Sequence, residues 1–277
     1  LRRHMTPIRS SRAGLLDTCG TGGDGSATFN ISTAAAIVTA AAGVPVAKHG
    51  NRRFTSRSGS ADVLAELGVN VEANVATVEA CLDELGLCFC FAPLFHGSMR
   101  RVADVRRRLG VPTIFNLVGP LSNPAAAPFQ LLGVGRADVH ELMAEALALL
   151  GTERAIVVAG RDGLDEVTLA DHTQVIEIKR GEPPHRFSWQ PEDFGLDTQP
   201  LEQLAVTGPV ESAGIIRAVL DGRAGPARDI VLLNAGAALW TAGRVPTPHD
   251  GAALAAASID TGAARQLLAR LVERSQQ

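Results

Sequence analysis

Short runs of β-branched and other apolar residues alternate with helical patterns along most of this chain, and that alternation limits the folds open to it. "GLLDTC" (14–19) leads to the helical "STAAAIVTAAAG" (32–43), "VPVAKHG" (44–50) and "SGSADVLAELG" (58–68), where Ser58 or Ser60 supplies an N-cap. The helix "VATVEACLDELG" (75–86) runs into "LCFCFAP" (87–93), a continuous apolar run that reads as a strand covered on both faces. "RAIVVAG" (154–160), "TQVIEIKRG" (173–181) and "ARDIVLLNAG" (227–236) repeat the strand signal, separated by the helical "ADVHELMAEALALLG" (137–151) and "VESAGIIRAVLDG" (210–222). Strand–helix–strand units of this kind predict an α/β fold, a mostly parallel central sheet flanked by helices.

Residues 94–124 break the rhythm. "HGSMRRVADVRRRLG" (96–110) is helical, whereas "VPTIFNLVGPLSNP" (111–124) is rich in Pro, Gly and Asn and holds no long strand. The expected organisation is a large α/β domain from 15–93 and 125–277, with 1–14 and 94–124 forming a small all-helical domain and hinge. A cleft between the two is a natural ligand site.

At 277 residues and 46% hydrophobic content the chain can fill a large core. Its net charge is −3, and its basic residues are scattered apart from a knot at Arg100, Arg101, Arg106, Arg107 and Arg108. That distribution offers no broad nucleic-acid face and suits a small anionic ligand better. No apolar run approaches the roughly 20 residues of a membrane span. The four cysteines (Cys19, Cys81, Cys88 and Cys90) follow no metal spacing, and a reducing, cytoplasmic compartment is the expectation. The first residue is Leu, and "LRRHM" reads as the end of an interrupted helix, so an upstream segment is expected.

"DTCGTGGDGSATFNIST" (17–33) sets Gly20, Gly22, Gly23 and Gly25 between an apolar run and an alanine-rich helix, with Asp24 in their midst. A glycine-rich turn between strand and helix lets backbone N–H groups converge on an anion, and the helix N-terminus near Ser32 adds partial positive charge. "GTGGDG" also satisfies G-x-G-x-x-G, but a dinucleotide site wants an acid about 20 residues on, and the second strand ends instead in Lys48 and His49. The Walker pattern is absent. "KHGNR" (48–52) gathers Lys48, His49, Asn51 and Arg52 at a strand's C-terminal end, and Ser58 and Ser60 add hydroxyls at a helix start. "DGLDEVT" (162–168) places Asp165 beside Glu166 at another strand exit, a pairing that suits Mg²⁺ bridging to phosphates. Taken singly, each stretch also reads as a tight turn or a solvated strand exit.

Together, "GTGGDG", the N-x-S-T of Asn30 to Thr33, "KHGNR", "SGSADVL", "NLVGPLSNP" and "GLDE" resemble the anthranilate phosphoribosyltransferase family, in the family's order, from about residue 16 to residue 240. Pyrimidine nucleoside phosphorylases share the architecture but differ at the lysine motif. A phosphorylase-like enzyme and a non-catalytic nucleic-acid-binding relative are the alternative readings, and the acidic balance opposes the second. The resemblance implies transfer of the phosphoribosyl group from phosphoribosyl pyrophosphate (PRPP) to anthranilate, in tryptophan biosynthesis. Gly20, Gly22, Gly23, Asp24, Thr28, Asn30, Ser32, Thr33, Lys48 and Ser60 would line the PRPP site. Asn51, His49 and Arg106 would hold anthranilate, with Arg106 on its carboxylate and His49 placed to assist proton loss. Ser32, Asp165 and Glu166 would bind magnesium.

The sequence departs from the family pattern at Arg53, where a small residue is usual, and at "HGSM" (96–99), usually "HPAM". Family members also carry several helices ahead of "GTGGD", where residues 1–19 stand here. Those helices complete the small lobe, and a homodimer is expected where they are present.

Overall fold

Seven strands form one sheet: β1 (Leu16–Gly20), β2 (Val46–Gly50), β3 (Leu87–Phe91), β4 (Phe129–Gly133), β5 (Arg154–Gly160), β6 (Thr173–Lys179) and β7 (His185–Trp189). Their order is β3-β2-β1-β4-β5-β6-β7. The first five in that order run parallel; β6 is antiparallel to β5, and β7 to β6. The structure is a computed structural model that describes residues 1–52, 58–99, 108 and 113–277. Arg106 and Arg53 lie outside the described residues.

The chain winds outward from β1 through β2 to β3, then crosses to the other side of β1 to lay down β4. This reversal makes the β1/β4 seam a switch point, where open α/β sheets bind ligands beyond their strands' carboxyl ends. The register sets Leu16 against Phe129 and Gly20 against Gly133, so both strands stop together at a glycine.

Among the described residues, the helices whose bounds are given are α1 (Ile31–Ala41), α2 (Ser60–Glu66), α3 (Val75–Leu85), α4 (Ala92–Phe95), α5 (Ile114–Val118), α6 (Ala137–Leu149), α7 (Pro209–Leu220), α8 (Pro226–Thr241), α9 (Pro248–Asp260) and α10 (Ala263–Ser275). Alternation along the central strands feeds two cores. Leu131, Ile156 and Val158 face the larger one, with α1, α3, α8 and α10, whereas Leu132, Ala155 and Val157 face Met143 and Leu147 of α6. Cys88 and Cys90 share one face of β3, their Sγ atoms 3.9 Å apart, and all four cysteines are free and buried.

Three expectations need correction. "ARDIVLLNAG" is not a strand but part of α8, sixteen residues that start at Pro226. Ile230, Val231, Leu233, Ala235, Ala237 and Ala238 are each fully buried, and a run buried all round shows no helical period to distinguish it from a buried strand. The N-cap of α2 is Gly59, not Ser58 or Ser60; Asp62 Oδ2 accepts from Gly59 N at 3.2 Å. Strands β4 and β7 answer to no strand signal read from the sequence. The first, FQLLG, is short, follows Pro128 and carries a buried Gln130; the second is a mostly exposed edge.

Candidate active site

The loop after β5 crosses over the ends of β1 and β4, and glycine at both ends is what admits it. A Cβ on Gly20 would overlap Asp165 Oδ2, and one on Gly133 would overlap the Asp165 carbonyl oxygen. Beyond Gly20 the backbone turns through Gly22 (φ 68°) and Gly23 (φ 83°), a left-handed conformation that other residues adopt at a cost of about 1–2 kcal/mol each. Thr21 N donates to Gly133 O at 2.9 Å, which pins the glycine loop across the switch point. Asp24 rests over Gly135, where a Cβ would approach within 2.9 Å of its own Cβ, and accepts a short hydrogen bond from Ser26 Oγ.

Asp165 and Glu166 reach back into this loop and the first turn of α1. Gly22 N donates to Asp165 Oδ2 at 2.7 Å, and Ser32 N to Glu166 Oε1 at 3.0 Å. The amides read from the sequence as phosphate donors are therefore in carboxylate hands. Desolvation, reinforced by Asp24 and Glu166, pushes Asp165 well above the usual carboxylate range. Desolvation likewise raises Glu166 to about 7, against the pull of Lys48 and the Ser32 amide.

Among the described residues, Lys48 is the cationic side chain that faces these acids. Its Nζ, buried under the sheet's end, donates to Thr18 O at 2.6 Å and Ser32 Oγ at 3.1 Å. Burial lowers its pKa, and Asp17, Glu166 and Asp165 oppose that shift. Next along β2, His49 gives its amide to Asp17 Oδ1 at 3.1 Å and sets its ring against His96. Arg52 turns away to pair with Asp62 and Glu72, at 3.4 and 2.9 Å.

These groups bound one cleft of about 260 Å³. Its wall includes Gly20, Gly22, Asp24, Thr28, Asn30 and Ser32 from the glycine loop and α1. Lys48, His49, Asn51 and Ser60 close a second side, and Asp165 and Glu166 a third. Gly23 is in the loop but off the wall, and Thr33 is buried away from it. Asn116 of α5 also lines the cleft; it belongs to the "NLVGPLSNP" motif, yet nothing local marks that asparagine as a site residue.

Magnesium fits this donor set. Among the described residues no group of three or more His, Cys, Asp and Glu side chains is placed to cage an ion. Magnesium seldom uses such a cage; it takes one or two carboxylates and completes its shell with phosphate oxygens and water. Asp165 and Glu166, with Ser32 Oγ beside them, would supply such a partial set.

The α/β fold with a cleft at its switch point is that of a glycosyl transferase family. Residues 12–265 match the model described as "Glycosyl transferase family, a/b domain". The chain belongs to the anthranilate phosphoribosyltransferase family. It is 50% identical over 272 residues to the anthranilate phosphoribosyltransferase of Moorella thermoacetica, covering 98% of this chain and 80% of that protein. It is 52% identical over 259 residues to that of Desulfitobacterium hafniense, covering 94% and 77%. The crystal structure of the Thermus thermophilus enzyme superposes with a TM-score of 0.92 at 46% identity, covering 100% of this chain and 82% of that one. The Saccharomyces cerevisiae enzyme in complex with PRPP and Mg gives 0.91 at 33% identity, covering 99% and 77%.

Proposed function

We propose that this chain transfers the 5-phosphoribosyl group of PRPP to the amine of anthranilate, giving N-(5-phosphoribosyl)anthranilate and pyrophosphate, in tryptophan biosynthesis. The observation that carries the reading is the meeting of Asp165 and Glu166 with the Gly22 and Ser32 amides, since acids, loop and helix end converge on one cleft.

The amine nitrogen forms its bond to the ribose C1 carbon as the bond from C1 to the pyrophosphate oxygen breaks, with positive charge building on C1. The arylamine is neutral near pH 7, so attack needs no prior deprotonation, and the proton leaves for water once the C–N bond has formed. Positioning and electrostatics therefore do most of the catalysis. Lys48 holds Ser32 Oγ at the cleft wall and adds fixed positive charge next to the acids. Magnesium, held by Asp165, Glu166 and Ser32, would neutralise charge on the departing pyrophosphate. The glycine loop, Asp24, Thr28, Asn30 and Ser60 surround PRPP, and Asn51, His49 and Arg106 hold anthranilate. His49, expected to assist proton loss, instead serves as a neutral wall, because burial and the neighbouring His96 and Lys48 lower its pKa to about 3.

In this reading residues 1–14 and 94–124 form the small lobe. Its support is a set of hydrogen bonds from the first segment: Arg2 Nε to Leu121 O at 2.8 Å, Thr6 N to Phe95 O at 2.9 Å and Ile8 N to Pro124 O at 3.0 Å. A homodimer, where the upstream helices are present, belongs to the same reading, supported by an apolar face where Leu149 is 88% and Ile114 61% exposed. So does a cytoplasmic location, supported by the four free thiols. No helix among the described residues is long and apolar enough to cross a membrane.

The deciding experiment follows anthranilate fluorescence with PRPP, with and without magnesium. Magnesium-dependent decay with equimolar pyrophosphate release is the expected result. Phosphorolysis of a pyrimidine nucleoside without any such decay would replace this reading with the phosphorylase one.

A further inference from the structure

We infer that Asn234 of α8 is a positioning residue that sets where the Asp165 and Glu166 carboxylates stand, an inference that rests on the metal-binding reading above. Its amide is fully buried and fully used. Oδ1 accepts from Val167 N at 2.9 Å, while Nδ2 donates to Val167 O and Ile230 O, both at 2.9 Å.

An asparagine is out of place in this helix by every local criterion. Its neighbours Ile230, Val231, Leu233, Ala235 and Ala237 are fully buried, asparagine is a weak helix former, and a buried amide is costly unless every donor and acceptor is met. The bonds it makes explain its presence. A primary amide sets a donor and an acceptor side by side on one planar group, so it can pair with both the N–H and the C=O of a single residue, and the residue it holds is the one following Glu166.

The other end of the loop is tied as firmly. Gly160 N donates to Leu164 O at 2.9 Å, and Leu164 N to Asp162 Oδ1 at 3.1 Å. Just past Val167, Thr168 N donates to Thr173 Oγ1 at 3.0 Å. Only Asp165 and Glu166 lie between the anchors at Leu164 and Val167, so the Val167 clamp fixes the direction in which both side chains leave the backbone. The clearance is tight, since the Asp165 carbonyl lies where a Gly133 Cβ would be. Helix α8 is a stiff support for the clamp: Gly236 lets its backbone touch α9, where a Cβ would come within 2.7 Å of Ala252 N.

The test uses the full chain and calorimetric titration with pyrophosphate, alone and as its preformed Mn²⁺ complex, and the gain in affinity from Mn²⁺ is the readout. Removing an outer-shell partner weakens metal binding about 10–100-fold. Asn234→Ala should therefore lose about tenfold or more of the Mn²⁺-dependent gain. Asn234→Ser, whose hydroxyl can still donate to Ile230 O one turn back but not reach Val167, should lose a similar amount and guards against a folding failure of the alanine variant. Thr241→Ala, which removes a buried hydroxyl bonded to Ala237 O in the same helix, is the control for lost stability and should keep the gain. A wild-type gain that Asp165→Asn abolishes but both Asn234 variants retain would overturn the positioning role. No gain in the wild-type chain, or one that Asp165→Asn leaves intact, would instead overturn the metal-binding reading beneath it.

Discussion

His49 and His96 bring their Nε2 atoms within 3.1 Å of each other, ring planes 61° apart, where β2 meets the turn after α4. One ring must donate and the other accept, so two imidazolium ions cannot share this contact. Both pKa values are lowered, that of His49 to about 3, chiefly by burial and then by the charges of His96 and Lys48, against a hydrogen bond to the Gly119 backbone; burial lowers His96.

The sign of the pH dependence follows. In the unfolded chain His49 takes up its proton near its ordinary value of 6.5, well before it does so in the fold. Its contribution to stability is thus complete above that value and is lost as pH falls toward about 3, at about 1.4 kcal/mol per pH unit. Glu166, between its ordinary 4.5 and about 7, and Asp165 run the other way, while His96 runs with His49, so the wild-type curve alone mixes several groups. Denaturant melts of wild type and His49→Gln, followed downward from about pH 7.5, separate the histidine pair from the acids. Below 6.5 the wild type should lose stability relative to the variant at that slope, and a pH-independent gap would show that His49 is not held neutral.

Glycine at two strand ends should fail in two different ways. In Gly20→Ala the new methyl meets the end of the Asp165 side chain, which can swing aside at the expense of its bond to Gly22 N. In Gly133→Ala it meets the Asp165 carbonyl, and the backbone itself must move. Gly133→Ala should cost about 1–3 kcal/mol of stability and also reduce kcat/KM, whereas Gly20→Ala should lose kcat/KM with a clearly smaller shift in the denaturant midpoint. Equal stability losses would contradict the contact geometry.

What could be read from the sequence was what is decided locally. The glycine loop, the KHGNR strand exit and the acidic pair advertise themselves because a phosphate cradle and a magnesium site need particular residue types at close spacing, and nearly all of those groups do line one cleft. Helix α8 could not be recognised, since an apolar run buried on every side carries no period. Asn234 was illegible for a further reason: its partner Val167 lies 67 residues away, and nothing in "LLNAG" reports which loop will cross the helix. The opposition of His96 to His49, 47 residues apart, arises from tertiary packing in the same way.

Arg154 ties the sheet to the end of α8. Its Nε donates to Glu177 Oε1 at 2.8 Å, its Nη1 to Trp240 O at 2.6 Å, and its guanidinium lies 4.0 Å from the centre of the Trp240 ring. Arg154→Met keeps the aliphatic stem but leaves the buried Glu177 with the more exposed Lys179 at 3.2 Å and His185 at 3.9 Å. The expected loss is about 2–3 kcal/mol in chemical denaturation. Arg154→Met combined with Glu177→Met should recover part of it, because no buried charge is then left unpaired; an additive double variant would show the pair to be uncoupled.

The acceptor's carboxylate offers the last test. Arg106 is assigned to it from the "DVRRRLG" match, and a guanidinium can grip a carboxylate through two parallel hydrogen bonds. Charge-assisted bonds of this kind contribute about 1.5–3 kcal/mol, and about 1.4 kcal/mol corresponds to a factor of ten. Arg106→Ala should therefore raise the KM for anthranilate about 10- to 100-fold while changing that for PRPP far less. Aniline, which has the amine but no carboxylate, sharpens the comparison: wild type should prefer anthranilate strongly, and the variant should lose most of that preference because its aniline rate is nearly unchanged. Parallel loss toward both acceptors and PRPP would assign Arg106 to the architecture of the cleft rather than to the carboxylate.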